Sequence, residues 1–399
     1  MMDYHFSSRM SKFSSSAVRE ILKLTQGNAI ISFAGGLPAE ELFPLEAVRE
    51  AFDRVFEQGK SALQYGLTEG YAPLREALVE RMKTKGMHVT KDDMLITTGS
   101  QQSIDLVTRV FIDPGDVVLV QRPTYLAALQ VFQAAGAEIV SVSGDEDGMD
   151  LADAEQKLAQ HKPKLMYIGP TFSNPTGYVW SRERREGIVR LARKYSVVIL
   201  EDDPYGELQY GGDASYPSIF SLDQHPQGSM VLYTSTFSKT VVPALRTGWI
   251  IGDSEIIRNM ARAKQAADLH SSSMDQQALY HLLKHFDLDA HIRLIRKHYE
   301  ERMHLMTKLL EPLAEQGLRW NVPKGGMFLW AELPEGYIAE DLLKLAVREG
   351  VAFVPGSSFF ADSPRRNAMR INFTHTHPDQ MATGVQCLSR ALEAYKQSL

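Results

Sequence analysis

The sequence predicts an α/β protein with a mostly parallel sheet and helices on both faces of that sheet. Short apolar runs of strand length recur through the first two thirds of the 399-residue chain. Between them lie longer segments with helical periodicity, at 101–111, 125–135 and 182–195. This alternation is typical of parallel sheets, because each crossover between parallel strands has room for a helix. The predicted strands are Met94–Thr97, Val117–Val120, Glu138–Val142, Leu165–Ile168, Val197–Leu200, Met230–Thr234 and Trp249–Ile251.

The C-terminal part of the chain predicts a smaller α+β unit. A long helix rich in charged residues is expected from Asp275 to about Leu313. The first 45 residues have no partner strand nearby in the sequence, so we expect them to pack on the C-terminal unit. The predicted division is an N-terminal segment 1–45, a large domain 46–300 and a small domain 301–399. The elements predicted for the small unit are strands at Met327–Glu332, Val351–Val354 and Arg370–Thr374 and helices at Ile338–Arg348 and Pro378–Gln397.

Composition excludes several classes of protein. With 43 Lys and Arg against 49 Asp and Glu the net charge is −6, a surface that does not attract nucleic acid. The single cysteine, Cys387, cannot form an intrachain disulfide, so the expected location is a reducing compartment, the cytoplasm. No apolar run approaches the roughly 18 residues that span a bilayer, and Met1–Ser16 lacks the apolar core of a signal peptide. We therefore expect neither nucleic acid nor a membrane as a partner.

Four polar motifs follow predicted strands, where open α/β sheets bind their ligands. The first is Thr97–Gln102, at a junction of strand, turn and helix. Gly99 permits a tight turn, Ser100 is a good helix N-cap, and the free N–H groups of the first helical turn form an anion site. By itself this motif favours an ordinary helix cap over a phosphate site. The second motif, Ser173–Gly177, is by itself an ordinary turn signal, but it also lies at a strand end.

The third motif, Glu201–Tyr205, places three acidic residues directly after an apolar strand. Such acids commonly face water at the sheet edge, since a desolvated carboxylate without a partner is costly. Otherwise one of them neutralises a buried cation. Magnesium is conceivable chemically, but no further cluster of oxygen ligands accompanies the acids, so no metal site is expected.

The fourth motif, Ser235–Lys239 with Arg246 seven residues later, combines hydroxyls, a lysine and a guanidinium. Hydroxyls and guanidinium suit a phosphate dianion. A lysine in a cationic neighbourhood has a lowered pKa and forms Schiff bases with carbonyl groups. Taken together, the four motifs match what pyridoxal 5′-phosphate (PLP) requires: a phosphate cradle, a reactive amine, a carboxylate for the ring nitrogen and an amide turn.

In this order and spacing the motifs resemble those of the fold-type-I PLP-dependent aminotransferases of class I/II. With Phe33–Pro38, Gln64–Gly70 and Met369–Ile371, the similarity covers nearly the whole chain. It is strongest to the 2-aminoadipate, kynurenine and aromatic aminotransferases. The resemblance implies the PLP-dependent transferase fold of type I, with a mostly parallel seven-stranded sheet sandwiched by helices and a smaller α+β domain.

The resemblance also implies roles for the residues around the cofactor. Lys239 would bind PLP as a Schiff base and shuttle the substrate proton. Asp202, three residues before Tyr205, would pair with the ring nitrogen, in preference to Asp203. Asn174 and Tyr205 would hydrogen-bond the ring oxygen. The remaining cofactor contacts implied are ring stacking by Tyr125 and phosphate binding by Ser100, Gln101, Thr236, Ser238 and Arg246.

Tyr65 would reach the phosphate in a neighbouring subunit, which implies a homodimer with shared sites. Arg370 would bind the substrate α-carboxylate, with Gly36 as a further substrate contact, and Arg19 would provide a movable cation for a distal carboxylate. The residues alone favour simpler interpretations. They favour a surface ion pair for Arg370, a locally packed turn residue for Tyr65, and the exposed face of an amphipathic helix for Arg19.

The implied reaction is ping-pong transamination from an aromatic, 2-aminoadipate or large aliphatic L-amino acid to 2-oxoglutarate, with broad specificity. One alternative is a PLP-dependent β-lyase of the same fold, since fold alone does not determine reaction class. A second alternative is the ligand-sensing half of a transcription regulator. That alternative expects an attached basic DNA-binding domain, whereas the resemblance begins near residue 13 and the net charge is negative.

Overall fold

A seven-stranded sheet organises most of the chain in the computed structural model, which describes residues 4–7, 10, 21, 30–212, 214, 216–223 and 228–399. Its strands run in the order β2 (Met94–Thr97), β10 (Gly248–Ile251), β9 (Val231–Thr236), β8 (Val198–Asp202), β7 (Leu165–Ile168), β3 (Val117–Gln121) and β4 (Glu138–Val142). All neighbouring strands are parallel except β10, which is antiparallel to β2 and β9. The mostly parallel α/β sheet predicted from the sequence is therefore confirmed. The other described strands are β1 (Ile31–Ser32), β5 (Gly144–Asp145), β6 (Gly148–Met149), β11 (Arg319–Trp320), β12 (Phe328–Glu332), β13 (Val351–Ala352), β14 (Val354–Pro355) and β15 (Ala368–Asn372).

Helices cover both faces of the sheet, so successive side chains of each strand enter two separate cores. In β7, Leu165 and Tyr167 belong to one core, whereas Met166 and Ile168 belong to the other. This is why the strands are apolar along their whole length rather than alternating. The described helices are α1 (Leu45–Glu57), α2 (Ala72–Thr84), α3 (Ser100–Phe111), α4 (Leu126–Ala135), α5 (Leu151–His161), α6 (Arg182–Tyr195), α7 (Ile219–Asp223), α8 (Ser254–Asp268), α9 (Ser273–His285), α10 (Leu288–Leu310), α11 (Ala339–Glu349) and α12 (Pro378–Ser398).

The C-terminal unit is a four-stranded antiparallel sheet, in the order β11-β12-β15-β14, that packs with α11 and α12. The strand predicted at Val351–Val354 is in fact two short strands. One of these, β13, pairs in parallel with β1 of the N-terminal segment rather than with the four-stranded sheet. This pairing brings the segment against the C-terminal unit. Helix α10 runs unbroken across positions 300 and 301, and the division at that point stays a prediction.

Strands β8 and β9 extend further than predicted, and this changes the surroundings of the polar motifs. Strand β8 continues through Glu201 to Asp202, and β9 continues to Thr236. The first acids of the third motif therefore lie inside the sheet rather than beyond its edge. Across the described ranges, no helix is long and apolar enough to cross a membrane.

Candidate active site

A cavity of about 300 Å³ lies where the parallel strands β3, β7, β8 and β9 end. Carboxyl ends of parallel strands meet at one edge of the sheet, so motifs far apart in the sequence converge there. Gly36 of the N-terminal segment and Arg370 of the C-terminal unit also line the cavity. The predicted site residues that line the cavity are Gly36, Ser100, Gln101, Tyr125, Asn174, Asp202, Tyr205, Thr236, Ser238, Lys239, Arg246 and Arg370.

One end of the cavity has the donors of an anion site. Helix α3 begins at Ser100, and its N-cap is Gly99, which has a φ of 76° and makes no side-chain cap bond. The expectation that Ser100 is the N-cap is therefore wrong, because the turn needs a positive φ that glycine adopts easily. A Cβ at Gly99 would lie 2.7 Å from Nη2 of Arg246. The absence of that Cβ keeps the first helical N–H groups and the guanidinium next to the same space.

The hydroxyls of the fourth motif are held by local hydrogen bonds. Ser238 N donates to Oγ1 of Thr236 at 3.1 Å, and the Thr236 hydroxyl lies 3.0 Å from the carbonyl of Thr247. Arg246 Nη1 donates to Oγ of Ser238 at 3.3 Å. These contacts hold the Ser238 hydroxyl and the guanidinium together at the same end of the cavity as the start of α3.

Lys239 is half-buried and lines the cavity. Its Nζ donates a hydrogen bond to the carbonyl oxygen of Gly36 at 2.8 Å. Desolvation of the amine and, after it, the positive charges of Arg370 and Arg246 together lower the pKa of Lys239 from 10.5 to about 8. A neutral amine is the nucleophilic form of lysine, so this environment favours attack on a carbonyl group.

Asp202 and Asp203 point to opposite faces of the sheet. Asp202 lines the cavity, and its Oδ2 accepts a hydrogen bond from the Tyr167 hydroxyl at 2.7 Å. Its other oxygen, Oδ1, is buried and has no hydrogen-bond partner within the part of the chain that the structure describes. Burial raises the pKa of Asp202 to about 7. Asp203 instead accepts from Tyr233 at 3.0 Å and from the N–H of Gly206 at 2.8 Å.

Contrary to the expectation of a water-facing sheet edge, Glu201 and Asp202 of the third motif are buried, and Asp203 is half-buried. Glu201 is fully buried and caps α7, where its carboxylate oxygens accept from the N–H groups of Ile219 and Phe220, each at 2.9 Å. Burial raises the pKa of Glu201 to about 7. Among the described residues there is no group of three or more His, Cys, Asp or Glu side chains suited to a metal ion.

Arg370 lies on β15 and is only 2% exposed. It is therefore not a surface ion pair, one of the possibilities that the sequence left open. Its Nη1 donates to Oδ1 of Asn174 at 2.8 Å, and its guanidinium carbon lies 4.3 Å from the ring centroid of Phe328 and 5.2 Å from that of Phe359. Burial lowers its pKa to about 10. A fixed, desolvated guanidinium binds a carboxylate strongly.

The polar groups around the middle of the cavity are mutually oriented. Because Asn174 accepts through Oδ1, its amide N–H group is the one that faces the Tyr205 hydroxyl, with which it shares a hydrogen bond. Tyr125 precedes α4, and its hydroxyl donates to Oε1 of Gln101 at 3.4 Å. Burial raises the pKa of Tyr125 to about 12, so the phenol is protonated at neutral pH.

Of the predicted site residues that the structure describes, Tyr65 does not line the cavity. Tyr65 is 80% exposed, and its ring contacts His270 edge-on at a centroid distance of 5.8 Å. Leu63, Leu67 and Leu269 are exposed too. Arg19 lies outside the described residues.

The sequence interpretation missed Tyr167, which lines the cavity from within β7. Its position inside an apolar run indicates a core residue, and its ring does pack edge-on against Phe132 in that core. The one available signal is its hydroxyl, because a buried tyrosine hydroxyl usually has a hydrogen-bond partner.

The residues present fit a phosphorylated aldehyde cofactor with a basic ring nitrogen. The donors at the start of α3 match a phosphate, the amine of Lys239 matches an aldehyde, and the unpaired Oδ1 of Asp202 matches a protonated nitrogen. This combination defines the class of site, that of a PLP enzyme. The chain matches the sequence model of the family "Aminotransferase class I and II" over residues 29–388. It belongs to that family, and it is an amino-acid aminotransferase that depends on PLP.

Named relatives agree with this assignment. Aromatic-amino-acid aminotransferase 1 of Thermococcus litoralis is 41% identical, with 98% of this chain and 95% of the relative covered. A solved structure of the α-aminoadipate aminotransferase LysN of Thermus thermophilus, complexed with N-(5′-phosphopyridoxyl)-L-leucine, is similar with a TM-score of 0.92 and 38% identity, over 99% of this chain and 98% of that one. A kynurenine aminotransferase of Pyrococcus horikoshii has a TM-score of 0.92 and 40% identity, over 98% and 97%.

Proposed function

We propose that this enzyme transfers the amino group of an aromatic, 2-aminoadipate or large aliphatic L-amino acid to 2-oxoglutarate by a ping-pong mechanism. The observation that carries the proposal is that one cavity brings together the amine of Lys239, the buried guanidinium of Arg370 and the Oδ1 of Asp202, which has no hydrogen-bond partner among the described residues. The named activities of the relatives support the substrate classes. A site that binds an α-carboxylate near a proton-shuttling amine suits transamination in both directions.

The cofactor would be held at three points of its structure. Lys239 would bind the aldehyde, and Asp202 would pair with the ring nitrogen. Phosphate would bind at the start of α3, with Ser100 and Gln101, and at the hydroxyls and guanidinium of the fourth motif, with Thr236, Ser238 and Arg246. Tyr125 would stack on the ring, and Asn174 and Tyr205 would donate to the ring oxygen. When bound, PLP supplies an electron sink that stabilises the carbanion left after loss of the α-proton.

The side chains of this enzyme would then position the substrate and move its proton. Arg370 would bind the α-carboxylate through a bidentate pair, with Gly36 beside it, and so orient the Cα–H bond. After the substrate amine has displaced it from the cofactor, Lys239 Nζ would take the α-proton as a general base and return a proton as a general acid. Its lowered pKa suits both steps, because a catalytic acid–base group works best when its pKa lies near the working pH. The buried cavity limits the access of water.

The main experiment is a panel of amino donors and oxo-acid acceptors, followed at the absorption band of the cofactor. We expect half-reactions with aromatic, 2-aminoadipate and large aliphatic donors, and regeneration by 2-oxoglutarate. The Lys239→Ala variant is the control and should lose nearly all turnover. Pyruvate release from a cysteine conjugate without amino transfer would instead indicate a β-lyase. Absence of both reactions would overturn the proposal.

Arg19 is proposed to bind a distal carboxylate. We expect Arg19→Ala to lose activity with glutamate or 2-aminoadipate while it retains activity with leucine, since leucine has no distal charge. A variant that handles the acidic donors as well as the parent, relative to leucine, would remove this role.

A homodimer with shared sites is also proposed, with Tyr65 reaching the phosphate of the neighbouring subunit. The exposed apolar side chains near Tyr65 support it, since clustered exposed apolar residues mark interfaces. A Tyr65→Ala protein and a Lys239→Ala protein would each have low activity. Subunit exchange between them would restore part of the activity only if Tyr65 and Lys239 of one site come from different subunits. No recovery in verified heterodimers would contradict the shared site.

The proposed location is the cytoplasm, on the basis of the single cysteine.

A further inference from the structure

We infer that Tyr167 is a positioning residue for the cofactor, because its hydroxyl holds one oxygen of Asp202 and leaves the other oxygen for the ring nitrogen. This inference rests on the proposed role of Asp202. None of the polar motifs includes Tyr167, which lies in the middle of an apolar strand. Its position in the sheet nevertheless determines how the carboxylate can be oriented.

The register of the sheet places the two residues together. Tyr167 on β7 pairs with Leu200 on β8. Asp202 lies two residues beyond Leu200, and side chains two residues apart on a strand point to the same face. Diagonal neighbours of this kind are within reach of a long aromatic side chain. The hydroxyl of Tyr167 therefore meets Oδ2 of Asp202, at 2.7 Å.

This hydrogen bond gives the two oxygens of the Asp202 carboxylate different surroundings. Oδ2 is occupied by the phenol, whereas Oδ1 is buried without a partner among the described residues. Burial of a carboxylate favours its protonated form, and a hydrogen bond to the charged form opposes that effect. For Asp202, burial raises the pKa and the Tyr167 hydroxyl lowers it. The phenol thus helps to keep Asp202 ionised, as a pair with a protonated ring nitrogen requires.

Other groups that face Asp202 do not supply the same contact. Tyr125, at the start of α4, and Tyr205, in the loop after β8, interact with its charge at longer range. Asp203, the adjacent acid, raises its pKa. Lys239 lines the same cavity, but its Nζ donates to Gly36. Tyr167 is the hydrogen-bond donor to this carboxylate within the described part of the chain.

The sheet also contains a matched control. Tyr233 on β9 pairs with Glu201, and Asp203 lies two residues beyond Glu201. Tyr233 and Asp203 are therefore diagonal neighbours on the opposite face of the sheet, just as Tyr167 and Asp202 are on theirs. Tyr233 donates to Oδ2 of Asp203 at 3.0 Å. Both tyrosines are buried, and phenylalanine preserves each ring in its core. Comparison of Tyr167→Phe with Tyr233→Phe therefore separates loss of a buried hydroxyl from loss of contact with Asp202.

The test uses the holoenzyme loaded with cofactor labelled with ¹⁵N at the ring nitrogen. In Tyr167→Phe we expect the ¹⁵N resonance to move toward that of a neutral pyridine and kcat to fall about tenfold, the effect of one charge-assisted hydrogen bond. KM for the amino acid should stay near that of the parent. In Tyr233→Phe the resonance should not move. With a cofactor analogue that has carbon in place of the ring nitrogen, the loss of kcat in Tyr167→Phe should disappear.

Two results would overturn the inference. One is an unshifted ¹⁵N resonance in Tyr167→Phe, and the other is an equal loss of kcat with the carbon analogue, which would indicate a packing role alone. Asp202→Asn is measured in parallel and should give a neutral ring nitrogen. If Asp202→Asn leaves the nitrogen protonated, the proposed role of Asp202 fails. If Asp202→Asn has its effect and Tyr167→Phe has none, only the role of Tyr167 fails.

Discussion

The lowered pKa of Lys239 gives a direct prediction for how fast the apoenzyme takes up its cofactor. At pH 7, a lysine with a pKa of about 8 is neutral in about one molecule in ten. With the ordinary pKa of 10.5 it would be neutral in only about one in three thousand. The buried site therefore raises the concentration of nucleophilic amine about 300-fold at neutral pH, by the ratio of these two fractions. The gain arises first from burial, and then from Arg370 and Arg246.

The assay is the rate constant for covalent binding of PLP to apoenzyme between pH 6 and pH 9. Since only the neutral amine reacts, the rate should rise about tenfold per pH unit below the pKa and level off above about pH 8. Nα-Acetyl-lysine, measured over the same range, corrects for titration of the cofactor itself. Lys239→Ala should form no covalent product, which assigns the signal to this amine.

A change of charge tests the cause of the shift. Arg370→Met removes one of the two cations that lower the pKa of Lys239 and leaves Arg246 in place. The midpoint of the profile should therefore move to higher pH. The reasoning would be refuted if the parent enzyme followed acetyl-lysine without levelling off. An unchanged midpoint in Arg370→Met would refute the electrostatic part alone.

Three further predictions concern binding and stability. Arg370→Lys should raise KM for amino acids about 100-fold with a smaller change in kcat, because lysine cannot form the bidentate pair. The measurement is steady-state kinetics, and an unchanged KM would contradict the prediction. Gly99→Ala should weaken PLP binding about tenfold in equilibrium titration. The new Cβ would lie 2.7 Å from Nη2 of Arg246, and the φ of 76° at position 99 is one that alanine rarely adopts. Unchanged affinity would exclude that crowding. Lys264→Met should lower the free energy of unfolding by about 2–3 kcal/mol in denaturant titration, because it removes a charged hydrogen-bond donor. Lys264 is fully buried, and its Nζ donates to Oε1 of Gln102 at 2.9 Å, to Oγ of Ser271 at 3.0 Å and to the solvent-exposed Asp268 at 2.7 Å. A loss below about 0.5 kcal/mol would contradict this prediction.

Much of the fold was predictable because the signals are local. Seven apolar runs separated by helical periodicity correspond to the seven strands of the main sheet. The split at Val351–Val354 was not predictable, because a continuous apolar run does not reveal that its halves pair with different strands. The start of α3 at Ser100, one residue earlier than a cap at Ser100 predicts, depends on the backbone angle of Gly99.

Within the site, the order and spacing of the motifs were sufficient to name the residues around the cavity. The choice of Asp202 over Asp203 came from its spacing to Tyr205, and the structure places Asp202 in the cavity and Asp203 on the other face. Tyr167 was not predicted, because a tyrosine within an apolar strand is indistinguishable from a core residue until the neighbouring strand is in register.

By itself, the sequence determined which chemical groups are available and at which strand ends they occur, because motif spacing and periodicity are properties of the local chain. Only the tertiary structure decided the hydrogen bonding, the burial and the pKa of these groups. It left Oδ1 of Asp202 without a hydrogen-bond partner among the residues described, buried Arg370 against two aromatic rings, and lowered the pKa of Lys239. Burial, register and long-range charge depend on segments distant in the chain, and the local pattern of residues carries no record of them.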